Sequence, residues 1–143
     1  MRSVNNGTQT NRNLAVTVTA LLLSIAILNS CGEVPAGKIN ILATETDFGT
    51  VPNTDLVTRI FEVRNTGEGK LDITQLSTSC SCTTATLSKD KINPGDVANL
   101  TITFDPGAHN GATGQFMRQV FIESNDPETP KAVFTFRITV VEE

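Results

Sequence analysis

The chain has 143 residues, of which 38% are hydrophobic, and 15 acidic against 11 basic side chains give it a formal charge of −4. Beyond residue 30 all fifteen acidic residues remain but Arg2 and Arg12 do not, so nine basic residues leave a net charge of −6, which argues against binding nucleic acid or anionic head groups through a basic patch. It has seven Phe but no Trp or Tyr, so the side chains that most often stack on bases are scarce.

Residues 1–30 read as a signal peptide. The first part holds Arg2 and Arg12 and no acidic residue. An apolar stretch follows from Leu14 to Leu28, about 15 residues, where a spanning helix needs about 20. It ends in Leu28-Asn29-Ser30-Cys31-Gly32. That frame resembles a bacterial lipobox, which implies cleavage before Cys31 and lipid on its thiol. Two alternatives stand beside this reading: a permanent transmembrane anchor, and ordinary cleavage without lipid. Each buried methylene of an acyl chain contributes about 0.8 kcal/mol, so two or three chains give a lasting attachment. Gly32 is not acidic, which favours the outer membrane where the organism has one. The expected address is extracytoplasmic and lipid-anchored. Residues 31–38 contain Pro35 and Gly37 and read as a tether.

From Ile39 onward, strand signals alternate with turn signals, and no amphipathic helix is evident. Ile39–Thr44 is the first run, and Asp47–Val51 reads as a second piece of the same edge. Leu56–Arg64 follows, with Val57, Phe61 and Val63 on one face. Asn65-Thr-Gly-Glu-Gly69 stops it, a turn whose Asn and Gly residues tolerate positive φ. A strand begins at Leu71, and its apolar phase slips between Ile73 and Leu76, which predicts a bulge. Cys80-Ser81-Cys82 leads into Thr84–Leu87. Asn93-Pro-Gly-Asp96 is a strong turn. Ala98, Leu100, Ile102 and Phe104 alternate with polar residues, a half-buried strand. Asp105–Gly114 is the longest loop. Phe116, Val120 and Ile122 share one face of the next strand, and Asn125-Asp126-Pro127 turns the chain. The last strand points Ala132, Phe134, Phe136, Ile138 and Val140 inward. About seven short alternating strands predict an all-β, immunoglobulin-like sandwich over residues 39–141.

The ordered motifs are Asp47-Phe-Gly49, Phe61-Glu-Val-Arg-Asn-Thr-Gly67, Leu71-Asp-Ile73, Ser79-Cys-Ser-Cys-Thr83, Ile92-Asn-Pro-Gly95, Ile102-Thr-Phe-Asp105 and Ser124-Asn-Asp-Pro127. Together they resemble the bacterial Ig-like domain-of-unknown-function family (DUF fifteen-seventy-three) in its lipoprotein form. A more distant likeness is to the Hydin and abnormal-spindle Ig-like domains. The resemblance covers nearly all of Ile39 to Val141. The family usually has Gly between its two cysteines, and this chain has Ser81 there. The resemblance implies the fold and an exported location and brings no activity with it.

With Cys31 assigned to lipid, two cysteines remain, Cys80 and Cys82. An even number in an exported chain permits a disulfide. Residues i and i+2 of an extended strand face the same side with Cα atoms roughly 6.5–7 Å apart. A disulfide needs about 4.4–6.8 Å, so the backbone must curl to close one. Three readings stand: a local disulfide or two semi-buried thiols, a soft-metal site for Cu(I) or zinc, and a thiol–disulfide exchange site. His109, the only histidine, and Met117 are further metal candidates, although no spacing requires either. Asn125–Glu128 offers oxygen ligands without EF-hand spacing and reads as turn chemistry. No Ser/His/Asp arrangement, phosphate loop or catalytic carboxylate pair stands out.

The sequence therefore points to a non-enzymatic, membrane-tethered module. Its expected role is binding or structural, with an envelope protein as partner and no nucleic acid or evident small-molecule substrate. The alternative is a copper-handling or thiol-redox lipoprotein using Cys80 and Cys82.

Overall fold

The computed structural model describes residues 34–109 and 111–143. The signal segment and Cys31 lie outside the described residues. Nine strands appear among the described residues: β1 (Ile39–Ile41), β2 (Glu45–Pro52), β3 (Val57–Asn65), β4 (Leu71–Thr78), β5 (Thr83–Leu87), β6 (Lys91–Ile92), β7 (Val97–Phe104), β8 (Gly114–Ser124) and β9 (Lys131–Val141). They form two sheets, ordered β1-β3-β7-β5 and β2-β9-β8-β4-β6. All the pairs are antiparallel except β2 with β9. This is a β-sandwich with the two-sheet division of an immunoglobulin-like domain.

Alternation builds it. β9 buries Ala132, Phe134, Phe136, Ile138 and Val140 and turns its other side chains outward. β7 buries Ala98, Leu100, Ile102 and Phe104 in the same rhythm. Between the sheets the phenylalanines interlock. Phe61 and Phe134 rings lie 4.4 Å apart across the sandwich, and Phe48 stacks on Phe136 at 4.2 Å. Fully burying each such side chain contributes roughly 1.5–3 kcal/mol.

Three features differ from the sequence expectations. First, β2 is not a continuation of the edge that begins with β1. The chain leaves the first sheet after Ile41 and joins the second, where β2 runs parallel to β9. This lets Ile39 fill the core from one sheet and Phe48 from the other. Second, the two-residue β6 adds to the edge of β4 through Leu71 and Ile92, both fully buried. Third, Gly67 and Gly69 do not sit at positive φ, unlike Gly95 in the Asn93–Asp96 turn. They are small because the chain passes against them: a Cβ would overlap the Ala36 carbonyl at Gly67 and the Pro35 carbonyl at Gly69. The bulge in β4 is where the phase slip put it, between Ile73 and Gln75. Among the described residues of the Asp105–Gly114 loop there is one 3-10 turn, Pro106–His109.

Candidate functional site

The two cysteines lie where the chain crosses from one sheet to the other. β4 ends at Thr78, and β5 opens at Thr83 in the opposite sheet. The crossing is a tight turn in which the Thr83 N–H donates to the Cys80 carbonyl at 3.2 Å. The Thr78 hydroxyl braces it, 3.0 Å from the Cys80 carbonyl and 2.9 Å from that of Thr83. Neighbouring strands pin both ends. The Ser79 N–H donates to Gln119 of β8, and the Cys82 carbonyl accepts from the Asp105 N–H just after β7.

This curl brings the Cα atoms of Cys80 and Cys82 to 5.3 Å, and their sulfurs are joined as a disulfide. Neither sulfur is then a thiolate, the form in which cysteine ligates copper or zinc. The two ends of the bond differ. Cys82 is buried within the hydrophobic core, whereas Cys80 is half-buried at its margin. The Cys82 N–H points at Cys80 Sγ at 3.1 Å. The Thr83 hydroxyl lies 3.7 Å from Cys82 Sγ and 3.9 Å from Cys80 Sγ.

A residue not singled out from sequence completes the site. Arg118 donates from Nε to Cys82 Sγ at 3.2 Å. It lies opposite Phe136 on β8, in phase with Phe116, Val120 and Ile122, at a position that an apolar side chain would normally fill. Its guanidinium carbon sits 5.0 Å from the centre of the Phe116 ring, and Nη1 donates to the Met117 carbonyl at 2.9 Å. Among the described residues no carboxylate forms an ion pair with Arg118. The signal in the sequence was a charge in the apolar phase of a strand.

Of the two further metal candidates, Met117 is not assembled with the pair. Met117 follows the alternation of β8 to the outer face, where it is exposed beside Arg137. There it lines an open groove of about 270 Å³ with Asp47 and Thr139. Arg137 is already paired with Glu45 at 2.6 Å. His109 closes the 3-10 turn, and its side chain lies outside the described residues. Among the described residues no group of three or more His, Cys, Asp or Glu side chains is placed to hold a metal ion.

A second polar cluster fixes the N-terminal entry. Asn65 is fully buried, and its amide is satisfied on both sides. Oδ1 accepts from the backbone N–H groups of Lys38 and Gly67, and Nδ2 donates to the carbonyls of Gly69 and Ile92. Asp126 is also buried. One carboxylate oxygen accepts from the Ile39 N–H at 2.9 Å, and the other from the N–H groups of Glu128 and Thr129. Burial pushes the Asp126 pKa up. The three backbone donors, helped by the charge of Lys38, outweigh it and hold the carboxyl below its usual range. Residues 36–38, read from sequence as part of a short tether, are thus gripped by the sandwich. Gly37 is buried so closely that an added Cβ would lie 2.6 Å from Leu71 Cα.

A family profile, described as protein of unknown function (DUF1573), matches residues 39–140. Among solved structures, the chain is similar to a protein of unknown function from Porphyromonas gingivalis W83, at 24% identity and a TM-score of 0.68. The match covers 78% of this chain and 51% of that one, so this chain spans about half its length. It is also similar to the ASH/PapD-like domain 7 of human CEP192, with 14% identity, a TM-score of 0.59, and coverage of 82% and 94%. A third likeness is to the Vibrio cholerae VesB protease, with 14% identity, a TM-score of 0.55, and coverage of 71% and 31%. At these identities the solved structures report the fold alone. No curated protein sequence matches the chain.

Proposed function

The chain belongs to this DUF1573 family, and from that premise we propose that it is a non-enzymatic Ig-like module of the bacterial envelope, tethered to a membrane by lipid on Cys31, that binds or spaces a protein partner. The observation that carries the reading is the grip on the entering chain. Two buried polar side chains, Asn65 and Asp126, hold the backbone N–H groups of Lys38 and Ile39, seven and eight residues after Cys31. Buried polar groups are costly unless satisfied, and here both are spent on fastening the point where a tether would enter. A domain entered at a fixed point presents loops and sheet edges, the surfaces such sandwiches use for partners.

The test is fractionation with intact mass. Wild-type protein is expected in the membrane fraction, beginning at Cys31 and carrying acyl chains, while Cys31→Ser is released or left unprocessed. A wild-type chain that is soluble, or that lacks added lipid mass, would overturn the tether.

A further inference from the structure

We propose that the Cys80–Cys82 disulfide is a thiol-reactive site that accepts two electrons from a dithiol, with Arg118 receiving the charge on the sulfur that leaves. The argument starts from Arg118. Arg118 is half-buried, with Nη1 bonded to the Met117 carbonyl at its exposed end, and a guanidinium makes its strongest hydrogen bonds to an anion. Among the described residues Arg118 has none: its Nε faces a disulfide sulfur, a weak acceptor, at 3.2 Å. Reduction supplies the missing partner, because cleavage of the bond puts a negative charge on Cys82 Sγ.

The geometry also sets the direction of attack. Cys82 is 1% exposed, so an external thiolate reaches the bond through Cys80, the half-buried end. In the first step the donor thiolate forms a bond to Cys80 Sγ. The Cys80–Cys82 bond breaks, and its electron pair leaves on Cys82 Sγ beside Arg118. In the second step the donor's other thiolate attacks the donor sulfur of the mixed disulfide. The electron pair leaves on Cys80 Sγ, toward which the Cys82 N–H points at 3.1 Å. The protein ends with two reduced cysteines and the donor with a disulfide; the two protons come from the donor's thiols. Leaving-group stabilisation speeds such exchange, and a product held by a cation shifts the equilibrium toward reduction. The partner fitted by this chemistry is a dithiol protein or small dithiol able to approach the β4–β5 corner. The proposal extends beyond the tethered-module reading and does not depend on Cys31.

The test uses the full chain in detergent, with dithiothreitol as the donor. The tryptic peptide Leu71–Lys89 carries both sulfurs and reports their state by mass. Replacing Arg118 by Gln is expected to lower both the rate and the equilibrium extent of reduction roughly tenfold, the size of losing one hydrogen bond to a charged group. Arg118→Lys recovers part of the loss. Loosened packing alone would expose the bond and speed reduction, so the sign separates the two causes. A measurement on the wild type needs no variant: glutathione followed by rapid alkylation should place glutathione on Cys80 and the alkyl group on Cys82. Unchanged or faster reduction in Arg118→Gln, or glutathione found on Cys82, would overturn the proposal.

Discussion

At the scale of single residues, buried polar side chains are the most informative in this protein, because each must account for its hydrogen bonds. Asp126 does so with three backbone N–H groups from two segments distant in sequence. Its carboxyl is held below the ordinary Asp value of 3.8. The stability it contributes is therefore complete above about pH 5 and is lost as pH falls through the lowered folded value. Asp126→Asn keeps the size but turns an amide N–H₂ toward at least one of those donors. That substitution is expected to cost about 1–3 kcal/mol at pH 7, the penalty for orphaned buried groups. The wild-type advantage in urea unfolding should be constant between pH 7 and pH 5 and shrink below pH 4. An advantage that grows on acidification would show that Asp126 is not the group holding the entry.

At the scale of elements, the glycines of the β3–β4 turn show how tertiary contact overrides local expectation. Gly69 is buried against Pro35, and an added methyl group would overlap the Pro35 carbonyl. Gly69→Ala is therefore expected to lift residues 35–38 off the sandwich while leaving the larger sheets intact. Faster hydrogen exchange at Ile39, with unchanged exchange at Leu100 and Phe136, is the signature to look for. Loss of protection throughout would mean that the N-terminal segment is integral to the core. Sequence made the long strands legible, because the period-two alternation of β7 and β9 is unbroken, and even the β4 bulge showed as a phase slip. It also showed that a Cys80–Cys82 bond would require the backbone to curl, while leaving a disulfide, free thiols, a metal site and thiol exchange open. It could not show that β1 and β2 belong to different sheets, since sheet membership depends on partners far along the chain. Nor could it separate glycines needed for φ from glycines needed for space. Arg118 was visible as an anomaly of phase, but its meaning required knowing which sulfur lay across the sandwich from it.

At the scale of the whole molecule, the question is what holds the two sheets together: the aromatic core or the covalent staple at the corner. Phe136 stacks on Phe48 at 4.2 Å and meets Phe104 of the facing sheet edge-on at 6.1 Å. Removing its ring leaves a cavity bounded by both sheets, and such losses cost about 3–5 kcal/mol. The disulfide closes a loop of only a few residues, so the chain entropy it removes is worth about 1–2 kcal/mol in the loop-closure model. Opening it also leaves in place the hydrogen bonds that Thr78, Gln119 and Asp105 make to the turn. Urea denaturation of Phe136→Ala, of the reduced wild type and of the oxidised wild type at pH 7 separates the two contributions. Phe136→Ala should lose the larger share, and the reduced protein should still unfold in a single cooperative step. A reduced protein less stable than Phe136→Ala would make the staple the principal support. The expected order instead leaves the bond free to open and close without unfolding the sandwich around it, which is the condition that a thiol-reactive corner must meet.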